Sequence, residues 1–198
     1  MPAPLLIDTP RLQLLATHTG LASEVAAFYQ RNLAHFAPWD PPLPADHAEV
    51  DAITVSLAEG RDAFESGRGF RWWLVRRDRA HHVIGSVHLS QVVRGAFHSC
   101  HLGYSLDARA QGHGLMHEAL QAIIGVAFAP DIGLHRLQAA VRPENLRSTS
   151  VLQRLGFRQE GLARDYLYID GAWRDHHLFA LTHAGFEIPP HWPRKDTR

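Results

Sequence analysis

The stretch RAQGHGLMHEAL, residues 109–120, changes character halfway. It opens with Gly112 and Gly114 around a histidine. It continues as Leu115, Met116, Ala119, Leu120, Ile123, Ile124 and Ala127, one apolar stripe at helical spacing. A glycine loop therefore runs straight into the first turn of an amphipathic helix. Such a junction points free backbone N–H groups and the positive end of the helix dipole outward, which suits an anion. The glycines let a ligand reach the backbone with no side chain in the way. Two common phosphate motifs fail here. A dinucleotide fingerprint needs a glycine where His117 stands, and a P-loop needs a Gly-Lys-Ser/Thr ending. What remains is Arg109-x-x-Gly112-x-Gly114. An ordinary strand-to-helix turn, with glycine for tightness, fits the same letters.

Working outward, Cys100, Leu102, Tyr104 and Leu106 alternate as a strand that ends just before the loop. Strands are also expected at 11–16, at 70–74 and at 83–89. Leu137, Ala139 and Val141 form a short one after the helix. Leu21, Val25, Phe28, Tyr29 and Leu33 mark a helix over 20–33. Four prolines between 38 and 44 forbid regular structure there. Asp46 and Glu49 read as a capping box opening a helix with Val50, Ile53, Leu57 and Phe64 inward. A short helix after Pro143 carries Val151, Leu152 and Leu155 and stops at Gly156. Residues 162–181 read as a hairpin turning at Asp170-Gly171. The order β-α-α-β-β-β-α-β-α-β-β is an α+β or α/β plan around one sheet.

The 198 residues suit one domain, residues 1–198, with a flexible tail from about 188. Twenty basic and 20 acidic side chains cancel, which argues against holding nucleic acid by bulk charge. Cys100 is the only cysteine, so no internal disulfide can form and a reducing compartment is expected. The start MPAPLLIDTPRL has no basic region and reaches Pro10 too soon, so no signal peptide is expected. No run has the length of a membrane helix. The expectation is a cytoplasmic protein without a membrane or direct nucleic-acid partner, acting as a monomer or homodimer.

Arg109-x-x-Gly112-x-Gly114 between a strand and a helix resembles the acetyl-CoA pyrophosphate loop of the GNAT N-acetyltransferases. The segment VRPENLRSTSVLQRLGFRQEG, 141–161, is similar to the family's next strand, its Asn-x-x-Ser helix start (Asn145, Ser148) and its Leu-Gly-Phe ending (Leu155, Gly156, Phe157). TPRLQL, HFAPWDPP, SQVVRGAFHSCHLGYSL and DYLYIDGAWRDHHLFALT narrow the resemblance to the RimJ/RimL subgroup, and within it to the enzymes that acetylate ribosomal proteins beginning with alanine. It covers residues 9 to 182. The resemblance implies a GNAT fold, an α+β (three-layer α/β) architecture with one central mixed, mostly antiparallel sheet flanked by helices. It implies acetyl-CoA as donor, no metal, and the N-terminal α-amine of a ribosomal protein or peptide as acceptor.

Acetyl transfer from a thioester to an amine needs a bound donor, a neutral amine, a stabilised oxyanion and a protonated leaving thiolate. By resemblance, Arg109, Gln111, Gly112, His113, Gly114, Leu115 and Met116 hold the pyrophosphate. The strand ending at Leu106 splays from the one at 136–141 to receive the pantetheine, and a backbone N–H near Leu106 meets the oxyanion. Asn145 contacts the pantetheine, though it would also serve as a plain helix N-cap. Ser148 donates to the thiolate, against the alternative of a surface serine bonded to its own helix. Where some relatives carry a glutamate base, this chain has Leu167. Asp165 is then the candidate base, with backbone-held water as the other route and His101 as an outsider. An α-amine titrates at about 7.7–8.0 and a lysine at about 10.4, so roughly a tenth of an α-amine is already neutral near pH 7. A weak base suits such an acceptor.

Trp39, Asp40, Tyr166 and Tyr168 are the expected acceptor wall, with Asp40, Asp165 or Asp175 available to attract a charged N-terminus. Trp39 plugging the core edge is the plainer use of that residue. His113 and His117 stand four apart but offer no third metal ligand. Cys100 reads as inert core. Two rivals remain: an enzyme of the same class acting on an antibiotic, polyamine or amino acid, and a CoA-binding sensor or escort without turnover.

Overall fold

The computed structural model describes residues 3–190, Trp192 and Pro193. Its elements follow the expected order, with one added strand at the start. They are β1 (Leu6–Asp8), β2 (Leu12–Ala16), α1 (Ala22–Phe36), α2 (Val50–Glu65), β3 (Phe70–Arg76), β4 (Arg79–Val93), β5 (Ser99–Leu106), α3 (Leu115–Phe128), β6 (Arg136–Val141), α4 (Leu146–Arg154), β7 (Arg158–Ile169) and β8 (Ala172–Thr182). The strands form one sheet in the order β1-β2-β3-β4-β5-β6-β8-β7. Every neighbouring pair is antiparallel except β5 and β6.

Successive strand residues face opposite sides of a sheet, so a strand buried on both faces must be apolar throughout. β3 is that strand. Trp72 and Leu74 enter one core with Leu102, Leu120, Ile123 and Leu137. Trp73 and Val75 enter a second core with Val25, Phe28, Ile53 and Leu57. The first core is closed by the stripe of α3 and by Leu152 and Phe157 around α4. The second is closed by α1 and α2.

The expected capping box at Asp46 does not form. Residues 45–48 make a turn, with the Glu49 N–H donating to the Asp46 carbonyl at 2.8 Å. Glu49 itself is the N-cap of α2 and makes no side-chain cap bond, and Val50 is exposed. The helix begins three residues later than the pattern placed it, which leaves Asp46 upstream of its first turn. Asp170 and Gly171 both have positive φ, 50° and 71°, and close the β7–β8 hairpin as expected. Within it, three residues, 164–166, stand opposite Asp175 alone. This bulge adds two residues to β7 and bends the strand there. Of the expected tail, residues 191 and 194–198 lie outside the described residues. The Trp192 ring lies 5.9 Å from that of His98.

β5 and β6 run side by side for only three pairs, Ser99–Arg136, Cys100–Leu137 and His101–Gln138. Beyond them β5 stays with β4 as far as Leu106, and β6 stays with β8 as far as Val141. The far end of β5 is fastened by Asp107. Its N–H donates to Ile84 O at 2.7 Å. Its buried carboxylate accepts from Arg31 Nε at 2.6 Å, Arg109 N at 2.9 Å and Asn32 Nδ2 at 3.3 Å. Burial alone would raise this carboxyl, but the Arg31, Arg109 and Asn32 donors outweigh it and hold it below the ordinary aspartate range.

Removing one partner of a buried charged pair strands the other, so Asp107→Ala is expected to lower unfolding free energy by roughly 3 kcal/mol. Urea titrations from pH 7 to 3 check this. Because the folded carboxyl is depressed, its contribution is full above the ordinary value of 3.8 and fades as pH falls below it. The variant lacks that acid-dependent share.

Candidate active site

The parting of β5 and β6 leaves backbone without a ladder. The Asp107–Ile84 bond sets the phase of the antiparallel pair, so every second residue back from Asp107 bonds to β4. Leu106 and Tyr104 fall between and turn their N–H and C=O groups into the gap. The expected splay beside Leu106 is therefore present.

At the mouth of the gap a single 3-10 turn, Ala108–Ala110, leads into the glycine loop. Gly112 and Gly114 have φ of 81° and 73°. A side chain is strained in that region whatever the space around it. Gly114 is the N-cap of α3, and no side chain caps the helix. The first amide used inside α3 is that of Glu118, donating to Gly114 O at 3.1 Å. The earlier amides are left to face outward, as an anion would need. The loop is held from behind. Glu118 accepts from Thr9 Oγ1 at 2.7 Å, Arg11 N at 2.8 Å and Arg11 Nε at 2.6 Å, while Arg11 Nη1 donates to His113 O at 2.8 Å. Gln111 bridges to His35 and accepts from Arg147, and Arg109 is exposed. At Gly112 and Gly114 the cradle offers backbone donors with no Cβ in the way, which fits a pyrophosphate.

Across the gap, α4 begins at Asn145, whose Oδ1 accepts from Ser148 N at 3.1 Å. The helix-cap role expected for Asn145 is thus present, and among the described residues its amide N–H groups make no hydrogen bond. Ser148 Oγ lies 2.6 Å from the Tyr104 hydroxyl. Burial pushes that hydroxyl up to about 12, against a smaller lowering from Ser148, so it keeps its proton at neutral pH. Tyr104 joins the candidate site through Ser148, although its place in the sequence marks it only as a strand apolar. The signal was there: a tyrosine on an inward strand face must find a partner for its hydroxyl.

On the α1–α2 face opens a cleft of about 590 Å³. Tyr29, Leu33, Asp40 and His47 line one side, and Asp170 and Gly171 at the hairpin turn line the other. Trp39 lies beside it, under the Arg142 guanidinium at 5.4 Å, and Arg142 also donates to Pro38 O. Arg142 directly follows β6, so the proline-rich loop is pinned to the end of that strand. Asp40 is half-buried, and burial raises its carboxyl to about 6, with His47 and Arg71 pulling the other way.

Asp165 is exposed on the bulge with φ of 48°, and its N–H donates to Asp175 Oδ1 at 3.0 Å. Neither it nor Tyr166 nor Tyr168 lines the cleft. Tyr166 packs on His176, and Tyr168 pairs with the exposed Trp173 near the hairpin tip. His88, beneath the α1–α2 face, is pushed down to about 3 by burial and by Arg71, so it stays neutral. Cys100 is buried, and burial raises its thiol to about 12, leaving no thiolate to react. No group of three His, Cys, Asp or Glu able to hold a metal occurs among the described residues. Among them, no helix is long and apolar enough to cross a membrane.

The chain belongs to the acetyltransferase (GNAT) family, whose domain model matches residues 11–158, and it is an N-acetyltransferase. It is 40% identical over 176 residues to the ribosomal protein uS5-alanine N-acetyltransferase of Escherichia coli, covering 89% of this chain and 90% of that protein. The ribosomal-protein-S5-alanine acetyltransferase of Vibrio fischeri superposes with a TM-score of 0.89 at 32% identity, covering 93% of this chain and all of that one. RimJ of Mycobacterium smegmatis, solved in complex with CoA-disulfide, gives 0.81 at 31% identity, over 86% of this chain and 81% of that one.

Proposed function

We propose that the protein uses acetyl-CoA to acetylate the N-terminal α-amine of a ribosomal protein beginning with alanine, by direct transfer within a ternary complex in the cytoplasm. The observation that carries this reading is the parted β5–β6 gap, with a donor-rich loop at its mouth and an open cleft whose wall is pinned to the end of β6. One gap then serves donor and acceptor together, with no need for a covalent relay. The alanine acceptor is supported by the likeness to the Escherichia coli and Vibrio fischeri enzymes.

Acetyl-CoA supplies an activated acetyl group as a thioester. The amides of Gly112 to Met116, with Arg109 and Gln111, hold its pyrophosphate at the start of α3. The gap-facing backbone of Tyr104 and Leu106, with the Asn145 amide, pairs with the pantetheine. The Leu106 N–H faces the carbonyl oxygen. Tyr104 donates to Ser148 Oγ, which frees the serine proton for the departing sulfur. Trp39, Asp40 and the hairpin bearing Tyr166 and Tyr168 bound the approach of the acceptor.

Mass spectrometry of peptides incubated with enzyme and acetyl-CoA tests the reading. Peptides matching small-subunit ribosomal N-termini are run beside a polyamine and an aminoglycoside. Acetylation confined to the α-amine of the alanine-starting peptide is expected. Product only from a small amine would move the acceptor and keep the chemistry. Tight CoA binding with no product anywhere would leave a sensor or escort.

Replacing Gly112 and Gly114 with valine is expected to weaken CoA binding about 100-fold, or roughly 2.7 kcal/mol, in calorimetry, with circular dichroism unchanged. Ser148→Ala and Tyr104→Phe are each expected to lower kcat by about 10-fold or more while CoA affinity holds. The double variant should lose little more than the worse single one, because the two hydroxyls act in series.

A further inference from the structure

The identity of the proton acceptor is open. The expected candidate, Asp165, is exposed and outside the cleft. Asp40 meets the geometric requirement. Its half-buried side chain lines the cleft and makes no hydrogen bond or ion pair among the described residues. The turn that carries it is fixed at both ends of its own length. Asp40 N donates to Phe36 O at 3.0 Å at the end of α1, and Arg142 holds Pro38 and Trp39 against the end of β6. The charged and titratable groups around it are Tyr29 on α1, His47 ahead of α2, Arg71 on β3 and Asp170 at the hairpin turn. His47 is already committed, with Nδ1 at 2.7 Å from Pro44 O, and Arg71 lies over the Trp73 ring at 5.6 Å. Asp40 is thus an unengaged carboxylate in a fixed place, facing the space an amine would enter.

We propose that Asp40 takes the proton from the acceptor's ammonium group inside the cleft. This rests on the α-amine acceptor of the preceding section. One N–H proton passes from R–NH3+ to an Asp40 oxygen, leaving R–NH2. The freed lone pair forms the N–C bond to the acetyl carbon as the C–S bond breaks. A second N–H proton ends on the sulfur, giving the amide, the free thiol and a protonated Asp40 that returns its proton to water. An ordinary aspartate sits about four units below an α-amine and would take its proton poorly. Burial brings Asp40 to about 6 and halves that gap. The desolvation that makes the cleft wall also makes its carboxylate a usable base.

The test measures kcat and KM separately from pH 5.5 to 9.5 with an alanine-starting peptide, for the wild type, Asp40→Asn and Asp40→Glu. CoA affinity of each variant reports an intact fold. The wild-type kcat/KM should rise through about 6 and then stay level as the peptide amine loses its own proton. Asp40→Asn should lower kcat at pH 7 by about 100-fold with KM little changed, and should lose the limb near 6. Its activity should climb with the neutral amine instead, closing on the wild type by pH 9. Asp40→Glu should restore part of kcat. A raised KM with kcat intact would overturn the proposal and make Asp40 a charge anchor. An unchanged enzyme would overturn it outright. If the wild type acetylates the peptide in either case, the acceptor reading survives; if it acetylates no α-amine, both fall together.

Discussion

A β-strand that leaves its neighbour exposes a row of donors and acceptors that must be satisfied by something. The separation of β5 from β6 is that constraint here, and the rest of the site is arranged around it. It is produced by competing attachments. Asp107 draws the end of β5 toward β4 and α1 through Ile84, Arg31 and Asn32, while β8 holds β6 through to Val141. The buried Asp107 carboxylate is costly unless its donors are all in place. Its burial therefore makes the geometry of the gap all-or-none rather than graded. The glycine loop follows one 3-10 turn past that anchor, so the same carboxylate, through Arg109 N, also sets where the loop begins.

Two chemical environments meet across the gap. On the α3–α4 face, Tyr104 and Ser148 form a protonated pair at the edge of a dry core. On the α1–α2 face, the cleft presents an acid whose proton affinity burial has raised. One side keeps protons and can lend hydrogen bonds to a departing anion. The other is prepared to accept a proton. Transfer of an acyl group to an amine needs that polarity, and the sheet provides it by having a distinct core on each side.

Local pattern carried much of this in the sequence. The stripe from Leu115 to Ala127, the alternation ending at Leu106 and the Asp170-Gly171 turn are short-range signals, and each element stands where its pattern placed it. What stayed hidden was non-local. Tyr104 and Ser148 are 44 residues apart, and Arg31 and Asp107 are 76 apart, so no window of sequence holds either pair. The failed capping box shows a different limit. Asp46 and Glu49 have the right letters, but a turn at 45–48 comes first and α2 is capped by Glu49 instead. The bulge opposite Asp175 is a third case, since β7 there carries no glycine or proline to announce it. Asp40 was legible as a candidate for the acceptor wall, and it lines the cleft. That its carboxylate would be unengaged and half-buried depended on α1, the loop and the hairpin meeting.

The proline-rich segment before α2 has a consequence for recognition. Ordering a free backbone costs about 1–2 kcal/mol per residue at room temperature, which a mobile loop must surrender when a ligand arrives. Here Pro38, Pro41, Pro42 and Pro44 remove much of that freedom in advance, and Arg142 removes more. The wall of the cleft is stiff before anything enters it. A stiff wall judges an incoming chain by its shape and size at first contact, and it returns no entropy when the product leaves.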